Sequence, residues 1–448
     1  MGKYRAYPEY RDSGVEWLGE VPKHWKRVRV KNVATLNPSK SAVRGLPEDM
    51  EVSFLPMDAV GEQGELDLAQ SKLLGAVIDG YTYVGEGDVI IAKITPCFEN
   101  GKGAVAKSLK NGMAFATTEV IPLRCHNERD RQFLYYLLSS PPFRPLAEGS
   151  MYGAGGQKRV SDNFVANYSF AQPSEEERTQ IATFLDRETA KIDRLIDRQE
   201  QLIELLKEKR QAVISHAVTK GLDPDAPMKD SGVEWLGEIP AHWEVVQLGH
   251  VAISMQTGPF GSQLHAEDYC EGGTPVINPA HMVDGKICPD EKCAVDEEML
   301  EQLAHHQLRA QDIVFARRGE LGRCALVTDH ESGWLCGTGS VKVTLNMSRL
   351  APKFLLLFMG TSSARDALSL MSKGSTMENL NTEILGKLKI PLPQMDEQVR
   401  IVGVLGERLK KIALLREKVE SAIALLQERR TALISASVTG KIDVRVAV

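Results

Sequence analysis

No run of about 18 apolar residues occurs in this 448-residue chain, so no segment is expected to span a membrane. The start, MGKYRAYPEYR, is polar and aromatic and lacks the apolar core of a signal peptide. Cysteine is scarce: Cys97, Cys125, Cys270, Cys288, Cys293, Cys324 and Cys336 make an odd set with no CxxC pair. Reduced thiols in a cytoplasmic protein are therefore expected, not a disulfide frame or a zinc site. No GxxxxGK(S/T) loop is present, which argues against a P-loop ATPase, and no HExxH occurs among the ten histidines, His305 and His306 included. Positive charge is not in excess. The net charge is −6, so any nucleic-acid contact must come from local clusters of cations. What remains, 43% hydrophobic and 25% charged, is the composition of a globular protein, and the length suggests two to four domains.

The chain repeats itself. DSGVEWLGEVPKHW at 12–25 returns as DSGVEWLGEIPAHW at 230–243, with twelve of fourteen positions identical. A second pair follows at nearly the same offset: 173–219, from PSEEERTQIATFLD to KEKRQAVISHAVT, matches 393–439, from PQMDEQVRIVGVLG to QERRTALISASVT. Two copies of about 220 residues result, each a phrase, a central segment and a long closing segment.

The closing segments read as helices. Leu185, Ile192, Leu206 and Val213 recur at multiples of seven, with Gln199 in the missing place, and Leu405, Ile412, Val419, Leu426 and Leu433 do the same in the second copy. Ile181, Leu195 and Leu202, and in the second copy Ile401, Leu415, Ala422 and Ala436, are expected to supply the other row of an apolar seam. Such a seam over five heptads is the coiled-coil pattern. About 38 residues would make a rod of roughly 57 Å, twice the usual surface helix, so each helix needs a long partner, and the other copy supplies one.

The central segments differ far more than their flanks. Both are glycine-containing and β-rich in pattern. Both hold a strand-like run opened by an acid, GDVIIAKITP at 87–96 and QDIVFARRGE at 311–320. Both continue into a short apolar helix, FLYYLLSS at 133–140 and FLLLFMGTSS at 354–363, and a glycine-bearing polar turn, YGAGGQKRVSDNF at 152–164 and SKGSTMENLNTEI at 372–384. A scaffold kept twice around two different centres suits two different binding specificities.

In this order, the VEWLGEVPKHW and VEWLGEIPAHW phrases, the GDVIIAK and QDIVFAR strands, the KIPLPQMDEQVRI run and the helices ending ISHAVT and ISASVT resemble the specificity (S) subunits of Type I restriction–modification enzymes. AKITPCFENGK and TGPFGSQL are similar to target-recognition-domain sequences, whereas SFAQPSEEERTQI matches the family less well than its counterpart. The resemblance covers essentially the whole chain. It implies an α+β fold in which two β-rich target recognition domains are separated by two long antiparallel coiled-coil helices, in a pseudo-two-fold internal repeat. The expected division is a repeated segment at 1–24, a recognition domain at 25–172, a long helix at 173–222, a linker with the repeated segment at 223–242, a second recognition domain at 243–392, a second helix at 393–440 and a tail at 441–448. The implied function is non-enzymatic: reading an asymmetric bipartite site in double-stranded DNA for two methyltransferase M subunits, which methylate adenine, and for restriction R subunits, which cleave. S-adenosylmethionine, ATP and Mg would belong to those partners, with no cofactor in this chain.

On that reading the central segments supply the DNA contacts. Phosphate neutralisation needs Lys and Arg, and base reading needs side chains in a groove. The candidates are Lys93 and Lys102, then Gln157, Lys158 and Arg159 in the first copy, and Arg317, Arg318, Arg323, Ser375 and Asn379 in the second. Arg27, Arg29 and Lys31 of KRVRVK would share a strand face, a charge pattern that EVVQLG lacks. Each of these is equally able to serve as a solvated surface charge. Trp17, Trp25, Trp235 and Trp243 of the repeated phrases read either as packing anchors at the junction of domain and helix or as a partner-binding surface. Two rival functions remain. SPPF, Ser140 to Phe143, has the form of the base-holding motif of an amino-methyltransferase, but it follows a helix-like run with no glycine-rich cofactor loop upstream. A coiled-coil adaptor without DNA binding is the other.

Overall fold

A computed structural model describes residues 4–446 except 155, 261–262 and 373–379. It divides into two compact units, 1–199 with 420–448, and 200–419. The first long helix, Glu175–Lys220, and the second, Met395–Val438, each give one half to either unit. The start of one helix therefore shares a unit with the end of the other, and the pair is antiparallel.

The units repeat one topology. In the first, a four-stranded antiparallel sheet runs in the order Ala34–Leu36, Val120–Cys125, Val89–Ala92, Gly103–Val105. In the second the order is Ala252–Thr257, Ser340–Leu345, Ile313–Ala316, Cys324–Leu326. Each unit adds a second sheet, four-stranded in the first and three-stranded in the second, around a parallel pair, Glu51–Leu55 with Met113–Ala116 in one and Thr274–Ile277 with Leu335–Cys336 in the other. The runs VIIA and IVFA are wholly buried, as strands covered on both faces must be. The acid that opens each run ties down the turn and the neighbouring strand. Asp88 accepts from the Gly85 amide at 2.7 Å and holds Arg124 through two bonds of 2.8 and 2.7 Å. Asp312 accepts from the Arg309 amide at 2.8 Å and from the Thr344 hydroxyl at 2.6 Å.

The repeated phrases build two equivalent junctions. Tyr10–Asp12 pairs with Glu20–Pro22 in the same register as Met228–Asp230 with Glu238–Pro240. Lys26–Arg29 pairs with Ser169–Gln172, and Glu244–Gln247 with Lys389–Leu392, the strands that lead into the long helices. Trp25 and Trp243 are fully buried in these corners. Behind the first, Gly440 takes φ +72°, and a Cβ there would lie 2.4 Å from Pro22 and 3.1 Å from Trp25. Only glycine can close the helix against that wall. The segment after Gly440 docks onto the start of the chain: the Asp443 amide donates to the Arg5 carbonyl at 2.7 Å, Tyr10 Oη donates to the Gly440 carbonyl at 2.9 Å, and the Arg445 guanidinium lies 4.8 Å from the Tyr7 ring.

One expectation fails in the helices. Leu195, Leu202 and Leu415 of the expected second row are 43%, 39% and 51% exposed, while Ile196 is 4% exposed. Ile181, Ile401 and Ala436 of the expected row are buried, but along the middle of the helices the inward positions lie one residue later, at Thr189, Ile196 and Ile203 in the first helix and Leu409, Ile423 and Arg430 in the second. Apolar residues stand both three and four places after the first row, so either row could have faced inward. Charge does not choose between the rows of the second helix, since one carries Arg408 and Arg429 and the other Arg416 and Arg430. Arg430 is accommodated by Asp193, which it reaches at 2.8 Å.

Candidate nucleic-acid interface

The loop that leaves each buried central strand is built by the same backbone bonds. In the first unit the Lys93 amide donates to the Glu119 carbonyl, the Val160 amide to the Lys93 carbonyl, and the Ala92 amide to the Lys102 carbonyl. In the second the Arg317 amide donates to Gly339, the Leu380 amide to Arg317, and the Ala316 amide to Arg323. Lys93 therefore occupies the place of Arg317, and Lys102 that of Arg323.

Four first-unit candidates come together. The Thr95 amide bonds the Lys158 carbonyl at 3.0 Å, and Arg159 bridges to Ile94 and Tyr152, which sets Lys93, Gln157, Lys158 and Arg159 around one loop. Gln157 and Lys158 are exposed and Lys93 is half-buried. Arg159 is held by Glu119 through two bonds of 2.9 Å, and this pairing holds the Glu119 carboxyl below the usual carboxylate range. Lys102 is turned inward, its ammonium donating to the Met57 carbonyl at 2.8 Å. Arg27 and Arg29 lie on the junction ribbon, in a different sheet. The strand stops at Arg29, so Lys31 falls in a 3₁₀ turn and bonds Asn167 at 2.8 Å instead of extending a shared face.

In the second unit Arg318 is exposed with no ion pair among the described residues. Arg317 donates to the carbonyls of Leu380 and Thr338 and lies 5.8 Å from the Phe260 ring. Burial and the neighbouring Arg318 push its guanidinium below the ordinary arginine value. Arg323 is paired with Glu320 at 2.8 Å. Ser375 and Asn379 lie outside the described residues.

The tryptophans divide by position. Trp25 and Trp243, fully buried, present no surface to a partner; their rings pack the junctions. Trp17 stacks on Tyr168 at 4.7 Å and Trp235 leans on Phe358 at 6.2 Å, both half-buried. Ser140 of SPPF is buried, its hydroxyl donating to the Leu137 carbonyl at 2.6 Å, and Phe143 is 0% exposed. The motif is the turn between helices Arg131–Ser139 and Arg144–Gly149 and offers no base a pocket. Among the described residues no group of three or more His, Cys, Asp or Glu is placed to hold a metal, and no helix is long and apolar enough to cross a membrane.

Sequence reasoning missed four residues here. Tyr152 and Phe260, 64% and 57% exposed, stand beside the cations as open aromatic faces. Their signal was present, an aromatic inside a glycine-rich polar turn. Arg144 and Arg365 gave none, because each is a single arginine in a helix.

Known proteins share this architecture. Residues 240–423 match the family model of the type I restriction modification DNA specificity domain. The specificity subunit of the type I restriction enzyme EcoEI, from Escherichia coli, is 33% identical over 209 residues, 44% of this chain. That of EcoAI, from the same organism, is 33% identical over 216 residues, 46% of this chain. The chain spans 34% and 35% of the length of these two relatives. The MjaVIII specificity subunit of Methanocaldococcus jannaschii is 26% identical over 431 residues, covering 95% of this chain and 94% of the relative. A solved chain of a type I R-M system superposes with TM-score 0.72 at 19% identity, covering 94% of this chain and 99% of its own. The HsdS subunit from Thermoanaerobacter tengcongensis does so with 0.56, also at 19% identity, covering 94% and 98%. These two establish the fold.

Proposed function

We propose that this chain is a specificity subunit of a type I restriction–modification enzyme, that it reads a split DNA site through its two units, and that it carries no catalysis of its own. The observation that carries this reading is one scaffold used twice with different groups at the equivalent places: Lys93, Glu119 and Val160 around one loop, Arg317, Gly339 and Leu380 around the other. Equal frames hold unequal surfaces, so the two half-sites differ. The recognition segments are 25–172 and 243–392. Lys93, Gln157, Lys158 and Arg159 form the contact set of the first, and Arg317 and Arg318, with Ser375 and Asn379, that of the second. Lysines and arginines there neutralise phosphates, and arginine suits the guanine edge in the major groove. Tyr152 and Phe260 add apolar contact. Adenine methylation and cleavage fall to M and R partners, which bring S-adenosylmethionine, ATP and Mg. The M subunits dock on the long helices and junctions, where Trp17 and Trp235 are within reach of a partner.

Sequencing the methylome of cells that carry this subunit and its M partner tests the proposal. One split motif with unlike halves is expected. Methylation without a motif would favour an adaptor that reads no DNA, and binding of S-adenosylmethionine by the isolated chain in calorimetry would favour a methyltransferase.

A further inference from the structure

Each reading loop is fastened from behind by one arginine, at equivalent places in the two copies. Arg144 is 8% exposed. Its guanidinium donates to the carbonyls of Phe98, of Gly101 at 3.0 Å and of Leu138 at 3.1 Å, and lies 4.5 Å from the centre of the Phe98 ring. Phe98 and Gly101 belong to the loop 93–102, and Leu138 to the end of helix Arg131–Ser139. Among the described residues no carboxylate pairs with Arg144, and burial pushes its guanidinium down to about 10. In the second unit Arg365 donates to Glu320 at 2.8 Å and to the Gly360 carbonyl at 3.3 Å. Glu320 lies in the loop 317–323, and Gly360 ends helix Pro352–Met359. Glu320 also holds Arg323. The ligands differ, backbone carbonyls alone in one copy and a carboxylate with a helix-end carbonyl in the other, but the arrangement is the same: arginine, helix end, loop.

Burying a charged group among neutral carbonyls costs desolvation, and an apolar side chain would fill the space more cheaply. What an apolar side chain cannot supply is direction. Arginine presents five donors in a rigid planar fork, and three diverging carbonyls satisfied by one fork leave the loop one geometry. The helix-end carbonyls, orphaned by the end of the helix, anchor the other side.

We propose that Arg144 and Arg365 are positioning residues, each holding the loop that carries its own unit's DNA-facing cations in the geometry that discriminates bases. This rests on the DNA-reading function proposed above. Neither arginine need touch DNA. Each acts through its loop, Arg144 on Lys93 and the 157–159 turn bonded to it, and Arg365 on Arg317 and Arg318.

The test uses the full subunit assembled with its M partner and measures methylation of duplexes altered in one half-site at a time. Arg144→Lys keeps the charge but loses the fork. It should narrow the preference for the intact first half-site by about tenfold, the scale of one base contact, and leave preference at the second half-site as it was. Glu320→Gln, at a half-exposed side chain, should do the reverse. It also decides the matter if the Arg144 variant does not assemble. Merely structural damage would lower methylation at every duplex alike, so an equal fall at all duplexes, or unchanged preferences at both half-sites, overturns the proposal. A wild-type complex with no half-site preference would instead sink the DNA-reading function, and the proposal with it.

Discussion

Two tryptophans in matching corners make different bonds. Trp243 Nε1 donates to Glu397 at 3.0 Å, and the same carboxylate takes His242 at 2.9 Å. In the other corner Glu177 takes His24 at 2.9 Å, and the buried Nε1 of Trp25 has no hydrogen-bond partner among the described residues. Both rings fill the same kind of space, so replacing either with phenylalanine opens a comparable gap. Only Trp243→Phe also removes a hydrogen bond to a charged group. It should destabilise by about 1–2 kcal/mol more than Trp25→Phe, read from the urea midpoints of the two variants. Equal losses would mean that the Glu397 contact contributes nothing. The phrase that repeats these residues was legible in the sequence because identity at twelve of fourteen positions is hard to miss. Which tryptophan of each pair is buried was not legible. Burial of Trp25 and Trp243 depends on the glycine that ends a long helix, Gly440 beside Trp25 and Gly221 beside Trp243, and these contacts come from outside the phrase.

The helices teach a similar lesson at the scale of elements. Their existence and one row of the seam followed from period seven alone, whereas the helices, at 46 and 44 residues, run longer than the roughly 38 expected. The second row did not, because leucine at 195 and isoleucine at 196 are equally apolar and only packing against the other helix chooses between them. The choice makes a sharp prediction. Ile196→Ala should cost about 2–4 kcal/mol, as a truncated core position does, while Leu195→Ala should change stability by less than about 1 kcal/mol. Thermal melts of the two variants would show it, and a larger loss at 195 would restore the rejected row. The strands were legible for a different reason: VIIA and IVFA are continuous apolar runs, and the acid before each marks the turn. The loops beyond them were only partly legible. Lys93 and Lys158 meet because the Thr95 amide bonds the Lys158 carbonyl, a pairing of residues more than 60 positions apart that no local pattern announces. Lys102, equally basic in the sequence, is spent on a carbonyl of its own domain.

For the whole molecule, the repeat has a consequence for connectivity. The first junction is closed by two separate pieces of chain, the segment after Gly440 and the lead before Asp12, joined through Asp443 and Arg5. At the second junction one continuous stretch, Gly221 to Met228, does the same work. Joining the chain ends through a short linker and opening the chain near Asp225 should therefore leave a subunit that folds and directs methylation to the same sequence. Loss of folding in that permuted chain, with the linker long enough to reach, would show that the two junctions are not equivalent.

The central claim is that each unit reads its own half of the site, and exchange of one central segment tests it most directly. Residues 243–392 would be replaced by the corresponding segment of a relative with a different site, and the methylome of cells carrying the hybrid and its M partner sequenced. The account predicts a motif in which one half has changed to the relative's and the other half is untouched. A folded, assembled hybrid that alters both halves, or neither, would contradict it.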